Sequence, residues 1–439
     1  RPLFMASRMA ERRALCQYLL RNARRMTAPS SRIAAMDVLR GCAVMGILWM
    51  NITAFALPQT AYFNPAAVGP LSWADKLFWL VSFLFFDGKM RALFSMLFGA
   101  SMLLLIDREE MAGRSGRRAQ IIRAAWLFVF GLAHYLLLWW GDILMTYAVV
   151  GLTALLFIRQ EPLSLLKWAF LCFLAHFLIC AAFIVSLYGW AHAAAAPGAA
   201  ESIREGFAQF TGPFINPDDP AIHQEIATYR SGFGTIVTHH LNLYASEWWW
   251  TFLFTAFDTL GFMLMGMAML KGGFFAGRWE AEQYRRTARH CFLIGLPPMA
   301  ALAAWLTLRD FPALPALGTA LAWSFPFRIP LAVGWAALIL WVLTPNKERR
   351  VMMAVARTGR LALSNYLGTS LIMCAVFYGW GLGLFAQLRP AELPLLVICA
   401  WLAMLVWSTA WLSRFAIGPA EWLWRSLARG KTQKIRNSI

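Results

Sequence analysis

Apolar residues along this chain fall in long unbroken runs, without the strict alternation of a half-buried strand. The runs lie at 33–56, 75–106, 123–140, 142–158, 165–190, 247–271, 290–308, 328–344, 360–382 and 394–412. Most are about 17 to 25 residues long, enough at a rise of about 1.5 Å per residue to cross roughly 30 Å of hydrocarbon. In lipid the backbone must satisfy its own hydrogen bonds, which leaves helices or closed barrels, and runs without a period of two exclude the barrel. The pattern predicts an all-α polytopic membrane helical bundle of about ten transmembrane helices.

Two places depart from simple crossings. The run at 75–106 is too long for one upright span, and Asp87-Gly88-Lys89-Met90-Arg91 sits inside it. Glycine loosens a helix and three charges do not face lipid, so a broken second span is expected, with an outer half-helix, a polar elbow and a crossing from about 91 to 106. The stretch 191–246 contains NPDDP at 216–220, which one long helix cannot accommodate, and is expected to form an external loop or cap, with EWWWTF at 247–252 as an aromatic belt. The expected organisation is a basic N-terminal extension (1–30), an N-terminal transmembrane half (31–190), the cap (191–246), a C-terminal transmembrane half (247–412) and a basic tail (413–439). The tight Gly141-Asp142 turn makes the spans on either side antiparallel neighbours.

Composition agrees: 60% of the 439 residues are hydrophobic and 14% charged, more apolar surface than one water-soluble core hides. A net charge of +18 raises nucleic acid as a partner until the charges are located. With both ends in the cytoplasm, 31 of the 40 Lys and Arg fall in cytoplasmic segments and 4 in external ones. That is the positive-inside asymmetry, so membrane lipids, not nucleic acid, are the expected partners, the basic ends resting on anionic headgroups. Of seven cysteines, all but Cys16 lie in or beside apolar runs, with no CxxC spacing; no disulfide framework, metal site or bound cofactor is expected. Met5, Met9 and Met26 are candidate translation starts, and no function is attached to residues 1–30.

Ionisable groups inside a membrane are costly and therefore functional candidates. On the first span Asp37 and Arg40 are one helical turn apart, and Asn51 follows Arg40 by three turns on the same face, about 16 Å away along the axis. Asp37 and Arg40 are either a substrate-binding pair or a structural ion pair. A second group comprises Asp87, Lys89 and Arg91 at the elbow, joined on the outer side by Asp142 and Glu247. His134 lies about two turns inside the Asp142 turn, placed for general-base work or for bonding a neighbouring helix. Asp258 is near the middle of its span and must be paired or line water. His176 reads as a packed residue and His239-His240 as interfacial. Gly359-Arg360 with Ser364-Asn365-Tyr366 reads first as helix-packing glue. No P-loop, HExxH or GxSxG is present.

These residues carry a resemblance. Asp37-Val38-Leu39-Arg40-Gly41 with Asn51, FFDGKMRALFSMLFG at 85–99, WWGDILMTYAVVG at 139–151, GRLALSNYLGTSLI at 359–372, FYGWGLGLF at 377–385 and IGPAEWLWRSL at 417–427 resemble the YeiB family of bacterial inner-membrane proteins over nearly the whole chain. The opening D-x-x-R-G helix also resembles that of transmembrane acyltransferases, which pass an acyl group from cytoplasmic acyl-CoA to an acceptor across the membrane. That resemblance implies that Arg40 meets the donor's phosphates and Asn51 faces the transfer cavity. Relatives of that kind carry a His where this chain has Asn51, or just beyond the first span, and residues 52–75 contain none. An amide orients a carbonyl but accepts no proton, so a general base must be His134 or Asp142.

The expected function is therefore acyl transfer from acyl-CoA to a polar or lipid acceptor, with His134, Asp142 and Asn51 catalytic and Asp37, Arg40, Asp87, Lys89, Arg91 and Asp258 binding substrate. It carries the expectation of a polar tunnel wide enough for a pantetheine arm. The alternative is a transporter or lipid-handling protein without covalent chemistry; a scaffold with no sizeable cavity is the third reading. A homo-oligomer is compatible with each.

Overall fold

The computed structural model describes residues 29–346 and 349–436, so the expected extension at 1–30 lies almost entirely outside the described residues. Among the described residues all regular elements are helical, apart from an isolated bridge between Phe415 and Arg436. Among the described residues eight helices are long and apolar enough to cross a membrane, and a pair of helices that meet at 82° passes the same test when taken together.

In chain order the main helices are α1 (Pro29–Ala56), α2 (Trp73–Val81), α3 (Lys89–Met111), α4 (Gly116–Leu137), α5 (Leu144–Ala154) and α6 (Pro162–Ala195). Then come α7 (Glu201–Ile215), α8 (Pro220–Tyr229), α9 (Phe233–Lys271), α10 (Ala281–Leu308) and α11 (Phe325–Asn346). The chain closes with α12 (Arg350–Arg360), α13 (Ala362–Phe377), α14 (Leu393–Leu412) and α15 (Pro419–Arg429). One core cluster joins the first half of α1 to α3, α5 and α9. A second joins the end of α1 to Trp139, Tyr229 and the end of α13. The side holding the start of α1, the end of α3 and α15 is called here the basic face, and the side holding α7 and α8 the cap face.

The broken second span is present. α2 starts at a capping box in which the Ser72 side chain accepts from Asp75 N and Asp75 accepts from Ser72 N. It passes through a π-turn at Ser82–Phe86, and Gly88 then takes a left-handed φ of 71° before α3 begins. A side chain has little room at Gly88, because the stem of Arg328 packs against that position.

Three expected boundaries change. The run at 142–158 forms α5 and a 3-10 turn, Leu155–Phe157, together an apolar helix of about 21 Å, shorter than the expected run. The run at 360–382 is the second limb of the bent pair α12–α13. The bend has a cause: the Glu421 carboxylate from α15 accepts from Leu363 N at 2.8 Å and Ser364 N at 3.1 Å, giving α13 its own capped start. The cap is shorter than expected, because α9 begins at Phe233, not near 247. NPDDP does interrupt the chain there: Asp219 caps α8 through Ala221 N at 2.9 Å, and Pro220 occupies its first turn.

Candidate functional site

The turn between α4 and α5 brings His134 and Asp142 together. Nδ1 of His134 and Oδ2 of Asp142 are 2.8 Å apart, and both side chains are almost completely buried. The other carboxylate oxygen of Asp142 accepts from Met145 N at 2.9 Å, at the start of α5, so the acid is fixed from two sides. The close approach of the two helices depends on Gly131, whose missing side chain leaves room for Met145 N and the Asp142 carboxylate. Nε2 of His134 is buried and has no hydrogen-bond partner. With the Nδ1 proton held by Asp142, Nε2 is left with a free lone pair, the arrangement of a general base.

Tyr366 on α13 lies beside this dyad, its ring centroid 5.1 Å from that of His134. Tyr366 also lines a small cavity with Asn51, Val44, Ile47, Leu48, Phe55, Thr369, Ser370 and Met404. Asn51 is buried, and no hydrogen bond to a described residue occupies its amide. Tyr366 thus links the His134–Asp142 dyad to the cavity that holds Asn51. Sequence reading assigned Tyr366 to helix packing; its signal was the polar Ser-Asn-Tyr set at the start of an apolar helix. The neighbouring Asn365 is packing glue, donating to Thr358 O and Ser408 Oγ at 3.0 Å each and accepting from Trp407 Nε1 at 2.8 Å.

The expected tunnel is not open. The cavity at Asn51 measures about 10 Å³, room for about one water. Phe55, which lines it, stacks on Trp139 with centroids 4.1 Å apart.

Asp37 and Arg40 form the ion pair that sequence reading offered as an alternative to substrate binding. Arg40 Nη1 is 2.6 Å from Asp37 Oδ1, and Nη2 donates to Ser101 Oγ on α3 at 2.9 Å. Gly359 packs directly on the Asp37 carbonyl, bringing the α12–α13 bend against α1.

The elbow is a set of helix-bridging pairs. Arg91 binds Asp258 at 2.5 Å and Thr259 Oγ1 at 3.1 Å, tying α3 to α9. Asp87 pairs with Arg328 at 3.0 Å, which also donates to Ala320 O at 2.8 Å. Lys89 is fully buried; its ammonium donates to the Phe83 carbonyl and stands 5.5 Å from that ring's centroid, with no carboxylate bonded to it. Asp142 does not join this group, because it is committed to His134, and Glu247 is exposed on α9. Arg328 was missed as the partner of Asp87, since 241 positions separate them.

Two further histidines, His176 and His240, are packed inside. His176 lies with its ring centroid 4.1 Å from that of Phe325. His240 is fully buried, not interfacial: its ring nitrogens meet Leu136 O at 3.3 Å and the Tyr229 hydroxyl at 3.4 Å, fastening α9 to α4 and α8. Among the described residues no group of three His, Cys, Asp or Glu is placed to hold a metal ion.

The fold defines a multi-pass helical membrane protein. A family model described as "Protein of unknown function (DUF418)" matches residues 268–431. The chain is 32% identical to "Uncharacterized protein YeiB" of Escherichia coli (strain K12) over 90% of its length and 96% of the relative's. It is 28% identical to "Uncharacterized protein YxaH" of Bacillus subtilis (strain 168), covering 91% of this chain and 95% of that one. The chain belongs to the YeiB family. No solved structure matches it.

Proposed function

We propose that the protein is an acyl-CoA-dependent acyltransferase of the bacterial inner membrane, with both ends in the cytoplasm and the cap outside. The observation that carries this reading is the buried His134–Asp142 dyad with an unbonded Nε2, its imidazole 5.1 Å from the ring of Tyr366, which lines the Asn51 cavity. In the reaction Nε2 takes the proton of an acceptor hydroxyl or amine as that group attacks the thioester carbonyl. Asn51 and Tyr366 supply hydrogen-bond donors to the oxyanion. The C–S bond then breaks, the CoA thiolate leaves, and the imidazolium returns the proton to it, restoring neutral His134. The donor approaches from the Arg40 side, about 16 Å below Asn51 along α1, and the thioester end is admitted when α1 and α13 part around the cavity.

The test uses purified protein in lipid nanodiscs, titrated with acetyl-CoA and longer acyl-CoAs while binding and thiol release are followed together. Saturable binding with slow thiol release is expected, the release lost in His134→Gln and reduced in Asn51→Ala. Well-folded protein that binds no donor at millimolar concentration sinks the reading.

One observation favours the transporter alternative: Lys89 is buried, and among the described residues no carboxylate is hydrogen-bonded to it, at an elbow built on a left-handed glycine. Substrate-dependent movement of the elbow with no thioester consumed would be its mark.

A further inference from the structure

The basic face carries more guanidinium groups than its carboxylates can serve. Asp37 is bound to Arg40, and Glu109 to Arg114 at 2.6 Å, with Arg429 at 3.8 Å, while Asp107 and Glu110 are exposed beside Arg108 at the end of α3. Glu421 spends both oxygens on the start of α13, accepting from two backbone N–H groups and from Ser364 Oγ at 2.5 Å. Among the described residues no carboxylate is hydrogen-bonded to Arg108 or Arg425, and Arg360 donates to Ala416 O at 3.0 Å. All three are exposed.

The packing of α15 gathers these groups. Glu421 seats it on α13, two residues beyond Arg360. Trp424 Nε1 donates to Arg123 O at 2.9 Å while the Arg123 guanidinium lies 4.1 Å from the Trp424 ring centroid. Arg429 reaches Glu109 at the end of α3, next to Arg108. Arg425 is therefore held between these anchors, within the field of the Glu421 carboxylate and of three guanidinium groups, Arg429, Arg108 and Arg40, while Asp37 feels Arg40, Arg360 and Arg425. Like charges brought together by neutral and hydrogen-bonded anchors are relieved by an anion, and planar guanidinium forks match phosphate oxygens in pairs.

We infer that Arg425, Arg360 and Arg108 form a phosphate-binding mouth at the inner end of α1, completed by the C-terminal helix. Its role as the seat of the donor's nucleotide end rests on the acyl-transfer reading. Arg40, already committed to Asp37 and Ser101, positions this mouth and is not its main ligand. The shared chemistry is a phosphate ester, supplied either by a soluble nucleotide or by an anionic lipid headgroup.

The experiment uses the full chain in phosphatidylcholine nanodiscs, with adenosine 3′,5′-bisphosphate as probe and titration calorimetry as readout. Arg425→Gln and, separately, Arg108→Gln are expected to weaken binding roughly tenfold, as loss of a charge-assisted hydrogen bond does, while Arg117→Gln on the first turn of α4 leaves it unchanged. In a second arm, native mass spectrometry follows retention of phosphatidylglycerol from mixed nanodiscs. Retention lost in Arg425→Gln, without bisphosphate binding, assigns the mouth to lipid. Arg425→Gln and Arg108→Gln both matching wild type in both arms, or Arg117→Gln losing as much as they do, overturns the inference. The probe has no thioester, so phosphate binding without acyl-CoA turnover sinks the acyl-transfer reading alone. Turnover with an unchanged donor KM and unchanged lipid retention in both arginine variants sinks this inference alone.

Discussion

Asp142 holds His134 at 2.8 Å through Nδ1 and leaves Nε2 buried and unbonded. The pair bridges a turn that also starts α5, so one carboxylate sets both the helix start and the imidazole's tautomer. An ordinary structural histidine satisfies both nitrogens, as His240 does with Leu136 and Tyr229.

Asp142→Asn keeps the size of the side chain but offers His134 an amide donor or a weaker acceptor, so the imidazole loses its preference for a free Nε2. Under the acyl-transfer reading thiol release falls about 10²- to 10⁴-fold with little change in donor binding. A fall confined to KM, or none at all in a folded variant, removes Asp142 from the catalytic assignment.

The Arg91–Asp258 pair makes a different prediction because its role is cohesion. Removing one partner leaves a buried charge without compensation, at a cost of about 3–5 kcal/mol, whereas replacing both by apolar residues of similar volume is far less damaging. Arg91→Met and Asp258→Leu should each lower the unfolding midpoint sharply in denaturant titrations, and the double variant should recover most of the loss. Additive losses would show that the two side chains act separately.

Gly88 gives a third test, with an internal control. Gly88 and Gly113 have nearly equal left-handed φ values, 71° and 72°, but Gly113 faces open space whereas Gly88 faces the Arg328 side chain. Gly113→Ala should cost only the backbone penalty, about 1–2 kcal/mol. Gly88→Ala should cost more and should weaken the Asp87–Arg328 pair that closes the elbow. Equal thermal shifts for the two variants would mean that Arg328 simply moves aside.

Local features of the fold and site were readable in the sequence, and distant ones were not. The apolar runs named the crossings because lipid leaves the backbone no alternative to helix, and the break at Asp87-Gly88 showed itself through charge and glycine. Asp37 with Arg40, and His134 with Asp142, lie a few residues apart, so helical geometry and a tight turn predicted their neighbourhood. α5 was overestimated because hydropathy records an apolar run and not the buried turn that shortens it. The start of α9 at Phe233 was hidden because its first turns carry His239, His240 and Asn242, polar groups that an apolar-run criterion rejects. The couplings of Asp87 with Arg328 and of Glu421 with α13 join elements that no periodicity connects.

The cap should respond to pH through Glu225 on α8. Its carboxylate accepts from Gln59 N at 2.9 Å, which latches α8 to the short helix Gln59–Phe63 that follows α1. Burial, reinforced by the nearby Glu247, outweighs that hydrogen bond and pushes the carboxyl up to about 7 from the 4.5 of a free glutamate. A carboxyl raised in the folded cap favours the closed arrangement when protonated. The contribution is complete below pH 4.5 and disappears as pH rises through about 7. Backbone hydrogen exchange in α8, corrected for intrinsic rates, should therefore be better protected at pH 5 than at pH 8, while α3 in the core shows no such difference. Glu225→Gln, neutral throughout, should hold the low-pH protection at both values. If that variant keeps the wild-type pH dependence, another group controls the latch.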